Sequence, residues 1–279
     1  MSLPDEAAIK RIIKDNSIRL DNHAGQNFLI DEAVLRSMVE LARIQPNDTV
    51  VEIGAGFGTL TAELIKRARE VIAVEKDKTL ARCLKERFGG QSNFRLVNDD
   101  ILKFKPDVRP YRIIANIPYQ ITGKIIRKFV SEEERKPADM LIMVQKEVGE
   151  RVCARPGQMS LLAIWVQLYS QPAIVMPVSR QSFWPVPKVD SVLLSIAGIK
   201  PDPLYPLKDF TAFWRVLRVG FSSPRKQLRN NLVAGLRIPS KEVARALAQA
   251  GIAEKARAQE LSISDWIALA NSPRGRVDP

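Results

Sequence analysis

Residues 49–58 read Thr-Val-Val-Glu-Ile-Gly-Ala-Gly-Phe-Gly, a β-branched run that leads directly into three glycines. The next ten residues, TLTAELIKRA, have apolar positions at helical spacing, so the pattern predicts a strand, a tight turn and a helix. Glycines in such a turn let the backbone bend sharply and let a ligand approach it closely. The stretch therefore predicts the first strand–helix unit of an open α/β sheet, with a binding site at the turn.

The same alternation continues on both sides of this unit. Strands are predicted at residues 71–75, 94–98, 111–116, 140–145 and 189–196, and helices at residues 31–43 and 80–88. Strands that alternate with helices in this way predict a doubly wound, Rossmann-like α/β domain with a mostly parallel sheet.

The composition changes after Ile199, where residues 200–209 (KPDPLYPLKD) contain three prolines. We therefore predict two domains, an α/β domain at residues 1–200 and a small all-helical domain at residues 201–279. Helices in the second domain are predicted at residues 210–220, 224–236, 240–250 and 262–270.

The net charge and the small numbers of His and Cys limit the classes of function that the chain can have. The chain has 43 Lys and Arg against 31 Asp and Glu, a net charge of +12, which favours a polyanionic partner, although a basic surface that binds nothing has the same composition. One histidine and two separated cysteines argue against a metal centre or a disulfide framework. The sequence shows neither an apolar run of membrane-spanning length nor a secretory leader, so we expect a cytoplasmic protein. It shows no coiled-coil heptads, so we expect a monomer.

An acidic residue, Glu75, ends the second predicted strand 21 positions after Gly54. A carboxylate at this place usually binds a ribose diol, so the pair indicates a cofactor that contains adenosine. A dinucleotide site would have a third glycine where Thr59 stands, whereas Gly-x-Gly-x-Gly after Glu52 resembles motif I of S-adenosylmethionine-dependent methyltransferases. Asp100 closes the third predicted strand and is a candidate acceptor for the adenine amine, or simply a turn cap.

The fourth predicted strand ends in Asn116-Ile117-Pro118-Tyr119, which resembles the (N/D)-(P/I/L)-P-(Y/F) motif of amino-methylating methyltransferases. If the Asn116 side-chain carbonyl and the Ile117 main-chain carbonyl accept the two hydrogens of an adenine amine, the nitrogen lone pair is free to point at the methyl donor. Pro118 fixes the backbone and Tyr119 offers a ring for stacking. The alternative is a strand followed by a plain Pro-Tyr turn with an Asn cap.

Three further motifs resemble the ribosomal RNA adenine N6,N6-dimethyltransferases of the small subunit: residues 25–29 (GQNFL), 183–191 (FWPVPKVDS) and 221–232 (FSSPRKQLRNNL). The resemblance runs from about residue 17 to about residue 235. It implies dimethylation, with S-adenosylmethionine, of two adjacent adenosines in the 3′-terminal hairpin of small-subunit rRNA during ribosome assembly. It implies catalytic roles for Asn116, Ile117, Pro118, Tyr119 and Phe183, with Phe183 stacking on the target adenine opposite Tyr119. The cofactor contacts that it implies are Asn27, Leu29, Gly54, Glu75, Asp100 and Asn116.

For RNA contact the candidates are Lys188, Arg225, Lys226 and Arg229. Residues 215–229 contain five basic side chains and no acidic one, which suits phosphate contact, although a solvated cationic helix face would look similar.

Three other functions share parts of this pattern. The large-subunit methyltransferases associated with macrolide resistance share Asn-Ile-Pro-Tyr, but the segments Pro187–Ser191 and Leu228–Leu232 favour the small-subunit class. A ribosome-assembly factor that does not depend on catalysis would keep the fold and the RNA surface. A nucleotide-dependent oxidoreductase would require NAD, and Thr59 argues against it.

Overall fold

The computed structural model describes Arg11 and residues 27–272, which divide into two units. The first unit contains residues 27–149 and 171–201, and the second contains residues 150–170 and 202–272. Among these residues, no helix is long and apolar enough to cross a membrane.

All strands among the described residues belong to the first unit. They are β1 (Phe28–Leu29), β2 (Thr49–Ile53), β3 (Glu70–Val74), β4 (Phe94–Val97), β5 (Arg112–Asn116), β6 (Met140–Gln145), β7 (Gln171–Val178), β8 (Phe183–Trp184) and β9 (Ser191–Ala197). Seven of them form one sheet in the order β4-β3-β2-β5-β6-β9-β7. The five from β4 to β6 run parallel and β9 is antiparallel to both neighbours, which confirms the predicted α/β class and mostly parallel sheet.

The helices of the first unit are α1 (Glu32–Ala42), α2 (Thr59–Ile65), α3 (Lys78–Phe88) and α4 (Thr122–Arg127), and α5 (Lys146–Val152) continues into the second unit. Side-chain caps fix where two of these helices begin. The Asp31 carboxylate accepts hydrogen bonds from the first turn of α1, and the Asp77 carboxylate does the same for α3. The central strand β2 is buried along its whole length, as its β-branched sequence predicts.

Two features of the sheet lie outside the predicted pattern. The edge strand β7 contains Pro172 and Pro177 and has an irregular register between Ile174 and Met176. Proline is tolerated only at a sheet edge or a bulge, so this sequence does not look like a strand. In addition, β1 pairs with β8 as a separate two-stranded sheet, with Phe28 opposite Trp184.

The second unit is helical, with α6 (Leu161–Gln167), α7 (Phe210–Gly220), α8 (Leu228–Leu236), α9 (Ser240–Gln249) and α10 (Ile263–Asn271). Helix α8 begins four residues later than predicted. The Asn231 amide donates hydrogen bonds to the carbonyl oxygens of Gly220 (2.7 Å) and Ser223 (3.0 Å), and these bonds hold the preceding segment in a turn.

The sequence predicts a single division at residue 200. The observed units differ from this prediction in one segment, residues 150–170, which belongs to the helical unit. Their helix α6 is apolar, and the Trp165 ring lies 3.7 Å from the Trp214 ring of α7, measured between centroids. The excursion of the chain into the second unit begins inside α5, so no linker marks that boundary in the sequence.

Candidate active site

The carboxyl ends of three neighbouring strands, β3, β2 and β5, meet at one edge of the sheet, where a cavity of about 530 Å³ opens. This volume is typical of a site for a small ligand or cofactor. Eight of the predicted site residues border the cavity: Asn27, Leu29, Gly54, Glu75, Asn116, Ile117, Pro118 and Tyr119. The fold therefore brings together residues that are up to 92 positions apart in the sequence (119 − 27).

The glycine turn between β2 and α2 requires glycine for two physical reasons. Gly54, Gly56 and Gly58 all have positive φ angles, between 57° and 76°. Residues with a side chain rarely adopt this left-handed conformation. A Cβ at Gly58 would lie only 2.4 Å from the Phe88 ring, and one at Gly56 would lie 3.3 Å from the Phe28 ring. The turn is therefore both left-handed and closely packed, and its backbone forms part of the cavity wall.

Glu75 is fixed by the main chain on both of its oxygens. The N–H of Gly56 donates to one carboxylate oxygen (3.0 Å) and the N–H of Asp77 donates to the other (2.8 Å). Burial raises the pKa of the Glu75 carboxyl, although these two hydrogen bonds act to lower it. Each oxygen has a further lone pair, so Glu75 can accept hydrogen bonds from two vicinal hydroxyls.

Glu52 is a second buried acid that borders the cavity, and its only distinction in the sequence is its place before the glycines. The Thr61 hydroxyl of α2 donates a hydrogen bond of 2.6 Å to its carboxylate. Burial is the main cause that raises the pKa of Glu52 to about 8, with a smaller contribution from the charge of Glu75. The acid is therefore mostly protonated at pH 7.

Asn116 is held by the segment that precedes α1. Its side-chain N–H donates to the main-chain carbonyl of Asn27 across 3.1 Å. Because only the nitrogen of the amide can donate to a carbonyl, this bond fixes which end of the amide is which. The Asn116 side-chain oxygen is left as an acceptor beside the cavity.

Tyr119 is tied to a distant part of the chain. Its hydroxyl lies 2.7 Å from the hydroxyl of Ser191, which is buried at the start of β9. Burial raises the pKa of Tyr119, so the phenol stays protonated at neutral pH. Ser191 is the last residue of the 183–191 motif, but its contact with Tyr119 spans 72 positions and has no signal in the sequence.

Two predicted site residues lie away from the cavity lining. Asp100 accepts a hydrogen bond from the N–H of Leu102 (2.9 Å) and pairs with Lys76 (3.0 Å), and these contacts lower its pKa. Its carboxylate therefore acts as a turn cap, one of the two roles predicted for it. Phe183 has 0% of its surface exposed and packs in the core with Leu29 and Leu193.

The predicted RNA-contact residues differ in their surroundings. Lys188, Arg225 and Lys226 are exposed. Arg229 instead pairs with Glu254 and donates to the Ser240 hydroxyl, so its guanidinium already has partners within the second unit. Gly25 and Gln26 of the 25–29 motif lie outside the described residues.

The cavity fits S-adenosylmethionine by its chemistry. It offers Glu75 for hydroxyls, a glycine backbone that a ligand can approach, and the Asn116 side-chain oxygen as a hydrogen-bond acceptor. Within residues 27–272, no group of three or more His, Cys, Asp or Glu is placed to hold a metal ion.

A sequence profile described as "Ribosomal RNA adenine dimethylase" matches residues 18–273. The chain belongs to this family. Members of the ribosomal RNA adenine dimethylase family use S-adenosylmethionine, so the chain is an S-adenosylmethionine-dependent methyltransferase that acts on ribosomal RNA. Two relatives are named "Ribosomal RNA small subunit methyltransferase A". The one from Dehalococcoides mccartyi is 39% identical over 93% of this chain and 90% of the relative. The one from Moorella thermoacetica is 36% identical over 94% and 95%.

Solved structures agree with the fold of this dimethylase. A dimethyladenosine transferase from Plasmodium falciparum is 28% identical, with a TM-score of 0.73 over 87% of this chain and 95% of the other. The 23S rRNA methyltransferase ErmE is 29% identical, with a TM-score of 0.71 over 87% of this chain and 98% of the other. The fold alone thus does not separate small-subunit from large-subunit enzymes.

Proposed function

We propose that this dimethylase transfers methyl groups from S-adenosylmethionine to N6 of two adjacent adenosines in the 3′-terminal hairpin of small-subunit rRNA, within a pre-ribosomal particle. The fixed amide of Asn116 at the cavity is the observation that carries the proposal. The choice of the small subunit rests on the relatives, which share 36–40% of their residues with the chain over at least nine-tenths of their length. We also propose that the enzyme acts in the cytoplasm as a monomer and without a metal.

The main task of Asn116 is to orient the adenine amine. That amine is a poor nucleophile because its lone pair is conjugated into the ring. With its amide nitrogen directed at the Asn27 carbonyl, the Asn116 side chain has its oxygen as the acceptor for one amine hydrogen, while the Ile117 carbonyl accepts the other. The nitrogen then becomes pyramidal and its lone pair points out of the ring plane. Bound S-adenosylmethionine supplies an activated methyl group, so orientation accounts for most of the acceleration.

Tyr119 and Phe183 hold the base in this proposal. The hydrogen bond to Ser191 restrains the Tyr119 ring, so that ring offers a fixed face for stacking. The target adenosine has to leave its RNA stack to reach the cavity. Since Phe183 is fully buried, its stacking role further requires that RNA binding exposes the ring.

The remaining cofactor-binding roles are assigned to other residues on this edge of the sheet. Glu75 accepts the ribose hydroxyls, Gly54 lets the donor approach the turn, and Asn27 and Leu29 cover it from the β1 side. For Asp100 to contact the adenine amine, its carboxylate has to give up the ion pair with Lys76 and bind the ligand instead.

A large-subunit target is the second candidate, favoured by the similarity to ErmE. The deciding experiment incubates the purified protein with labelled S-adenosylmethionine and separated, unmodified small and large ribosomal subunits, and then identifies the labelled nucleosides. We expect N6,N6-dimethyladenosine in small-subunit RNA. Label only in large-subunit RNA would replace the proposal with the resistance-type reaction. Absence of label, with the donor still bound, would favour an assembly factor that does not depend on catalysis.

A further inference from the structure

The segment of residues 27–31 carries the main-chain carbonyl that fixes the Asn116 amide. Its strand β1 is only two residues long and pairs with β8 rather than with the seven-stranded sheet. Phe28 packs on the Phe57 ring, with 4.4 Å between centroids, and Leu29 packs in the core. Because apolar packing is not directional, these contacts hold the segment against the unit without setting its position along β8.

Ser182, the residue before β8, makes two hydrogen bonds to this segment. Its main-chain carbonyl accepts the N–H of Ile30 (2.9 Å), and its hydroxyl donates to the Asp31 carboxylate (2.8 Å). Ser182 is buried, and a hydroxyl that donates to a carboxylate forms one of the stronger hydrogen bonds in proteins. The other oxygen of Asp31 caps α1 by accepting two main-chain N–H groups. One carboxylate therefore fixes the start of α1 and ties the segment to Ser182.

We propose that Ser182 is a positioning residue for methyl transfer, which acts through Asp31 and Asn27 on the Asn116 amide. The inference rests on the proposed function for the role of Asn116. The Ser182 hydroxyl holds Asp31, and the short chain back to Asn27 then sets the carbonyl that accepts the Asn116 N–H (3.1 Å). A shift of about 1 Å at this carbonyl would turn the amide away from the adenine amine, and misplacement on that scale can cost about 100-fold in rate.

The inference gives residues 182–191 a role as a unit. Their first residue, Ser182, restrains the segment that carries Asn27, and their last residue, Ser191, bonds the Tyr119 hydroxyl. The amide and the ring that hold the adenine in the proposed reaction thus depend on opposite ends of one stretch of chain.

Two variants break the bond between Ser182 and Asp31 from opposite sides. Ser182→Ala removes the hydroxyl. Asp31→Ser keeps a good cap for α1 but has a shorter side chain that does not extend to Ser182, so it carries the test even where Ser182→Ala fails to fold. Ser179→Ala is the matched control, because the Ser179 hydroxyl caps the same short 3₁₀ turn by accepting the Gln181 N–H (3.2 Å). Within residues 27–272, the Ser179 hydroxyl has no hydrogen bond to the segment of Asn27.

The first readout is nuclear magnetic resonance, which does not require methyl transfer. In protein labelled with ¹⁵N-asparagine, the side-chain NH₂ signals of Asn116 are identified as the pair that Asn116→Ala lacks. We expect these signals to shift or broaden in Ser182→Ala and Asp31→Ser, because the amide loses its fixed acceptor, and to stay in place in Ser179→Ala. Unchanged Asn116 signals in the two variants that break the bond would overturn the inference.

The second readout is transfer of label to the ribosomal subunit that the wild-type enzyme methylates. We expect Ser182→Ala to lower kcat roughly 10- to 100-fold and to leave KM for the subunit unchanged, because the hydroxyl is directed at Asp31 rather than at RNA. In an Asn116→Ala background the same substitution should have little further effect, since the residue through which it acts is gone.

Equal losses from Ser182→Ala in the two backgrounds would overturn the inference, and so would an equal loss in Ser179→Ala, because both results would assign Ser182 to general packing. A wild-type enzyme that methylated neither subunit would refute the proposed function alone. The Asn116 signals would then still decide whether Ser182 holds the amide.

Discussion

Replacing Glu52 by glutamine should change how the stability of the protein depends on pH. The pKa of Glu52 is raised from 4.5 to about 8 in the folded protein, mainly because the carboxyl is buried. Between these two values the folded state binds more protons than the unfolded state does. The linkage relation then requires that the free energy of unfolding falls as pH rises from about 4.5 to about 8, and stays at the lower value above that.

The size of the effect follows from the shift. Each pKa unit corresponds to about 1.4 kcal/mol, so this single carboxyl costs on the order of 5 kcal/mol at alkaline pH relative to pH 4.5. A glutamine side chain has nearly the same shape, can still accept the Thr61 hydrogen bond and cannot ionise. We therefore expect Glu52→Gln to be close to wild type in stability near pH 5 and more stable by several kcal/mol at pH 9.

The assay is urea unfolding of the donor-free proteins, followed by circular dichroism at intervals from pH 5 to pH 9. Glu63→Gln on α2, the helix that carries Thr61, is the control, because hydrogen bonding to Lys66 lowers the pKa of Glu63. Glu63 thus contributes stability above its unfolded pKa and loses it only as pH falls below that value, the opposite direction. A difference between Glu52→Gln and wild type that stayed constant with pH would refute the reasoning, since it would show that Glu52 has an ordinary pKa.

Three further sets of substitutions test the site. Asn116→Ala should lower methyl transfer by roughly 100-fold or more, because misplacing the amine costs about that much, while calorimetry finds most donor affinity and the fold retained; full activity would contradict the proposed orientation. Ser191→Ala and Tyr119→Phe should each lower kcat/KM on RNA, and the double variant should be no worse than either single variant. Ser191→Thr, which keeps the hydroxyl, should retain activity. Additive effects in the double variant would show that the two hydroxyls act independently. Phe183→Leu keeps an apolar side chain in the core and removes the aromatic face, so it should lower kcat/KM roughly 10- to 100-fold with little change in stability. A drop in stability alone, measured by thermal unfolding, would restrict Phe183 to core packing.

Local patterns were enough to predict the central sheet. Strands β2 to β6 are short apolar runs bounded by turns or helical patterns, so the sequence places them to within one or two residues. Helix α7 falls on its predicted range, because an acidic cap precedes it and an apolar face runs through it. The residues at the strand ends were found for the same reason, since parallel strands deliver their carboxyl ends to one edge.

Contacts between distant segments were not predictable. The pairing of β1 with β8, the Asn116–Asn27 and Tyr119–Ser191 hydrogen bonds and the surroundings of Glu52 all depend on how the chain folds back on itself. The burial of Phe183 belongs to the same class, because a phenylalanine in a proline-rich motif looks identical whether it faces a cavity or the core. Sequence patterns report what a residue's neighbours along the chain require, and these features depend on neighbours in space.

The pairing of β1 with β8 has a consequence for the order in which the enzyme is made. As the chain is synthesised, residues up to about 150 contain the glycine turn, Glu75 and Asn116, yet β8, β9 and Ser191 have not been added. Until then the segment that carries Asn27 lacks its pairing strand, and Tyr119 lacks its hydroxyl partner. The residues of the glycine turn, Glu75 and Asn116 are therefore synthesised well before the partners of β1 and Tyr119. The strand that pairs with β1 and the hydroxyl that restrains Tyr119 become available only when residues 183–191 have been made.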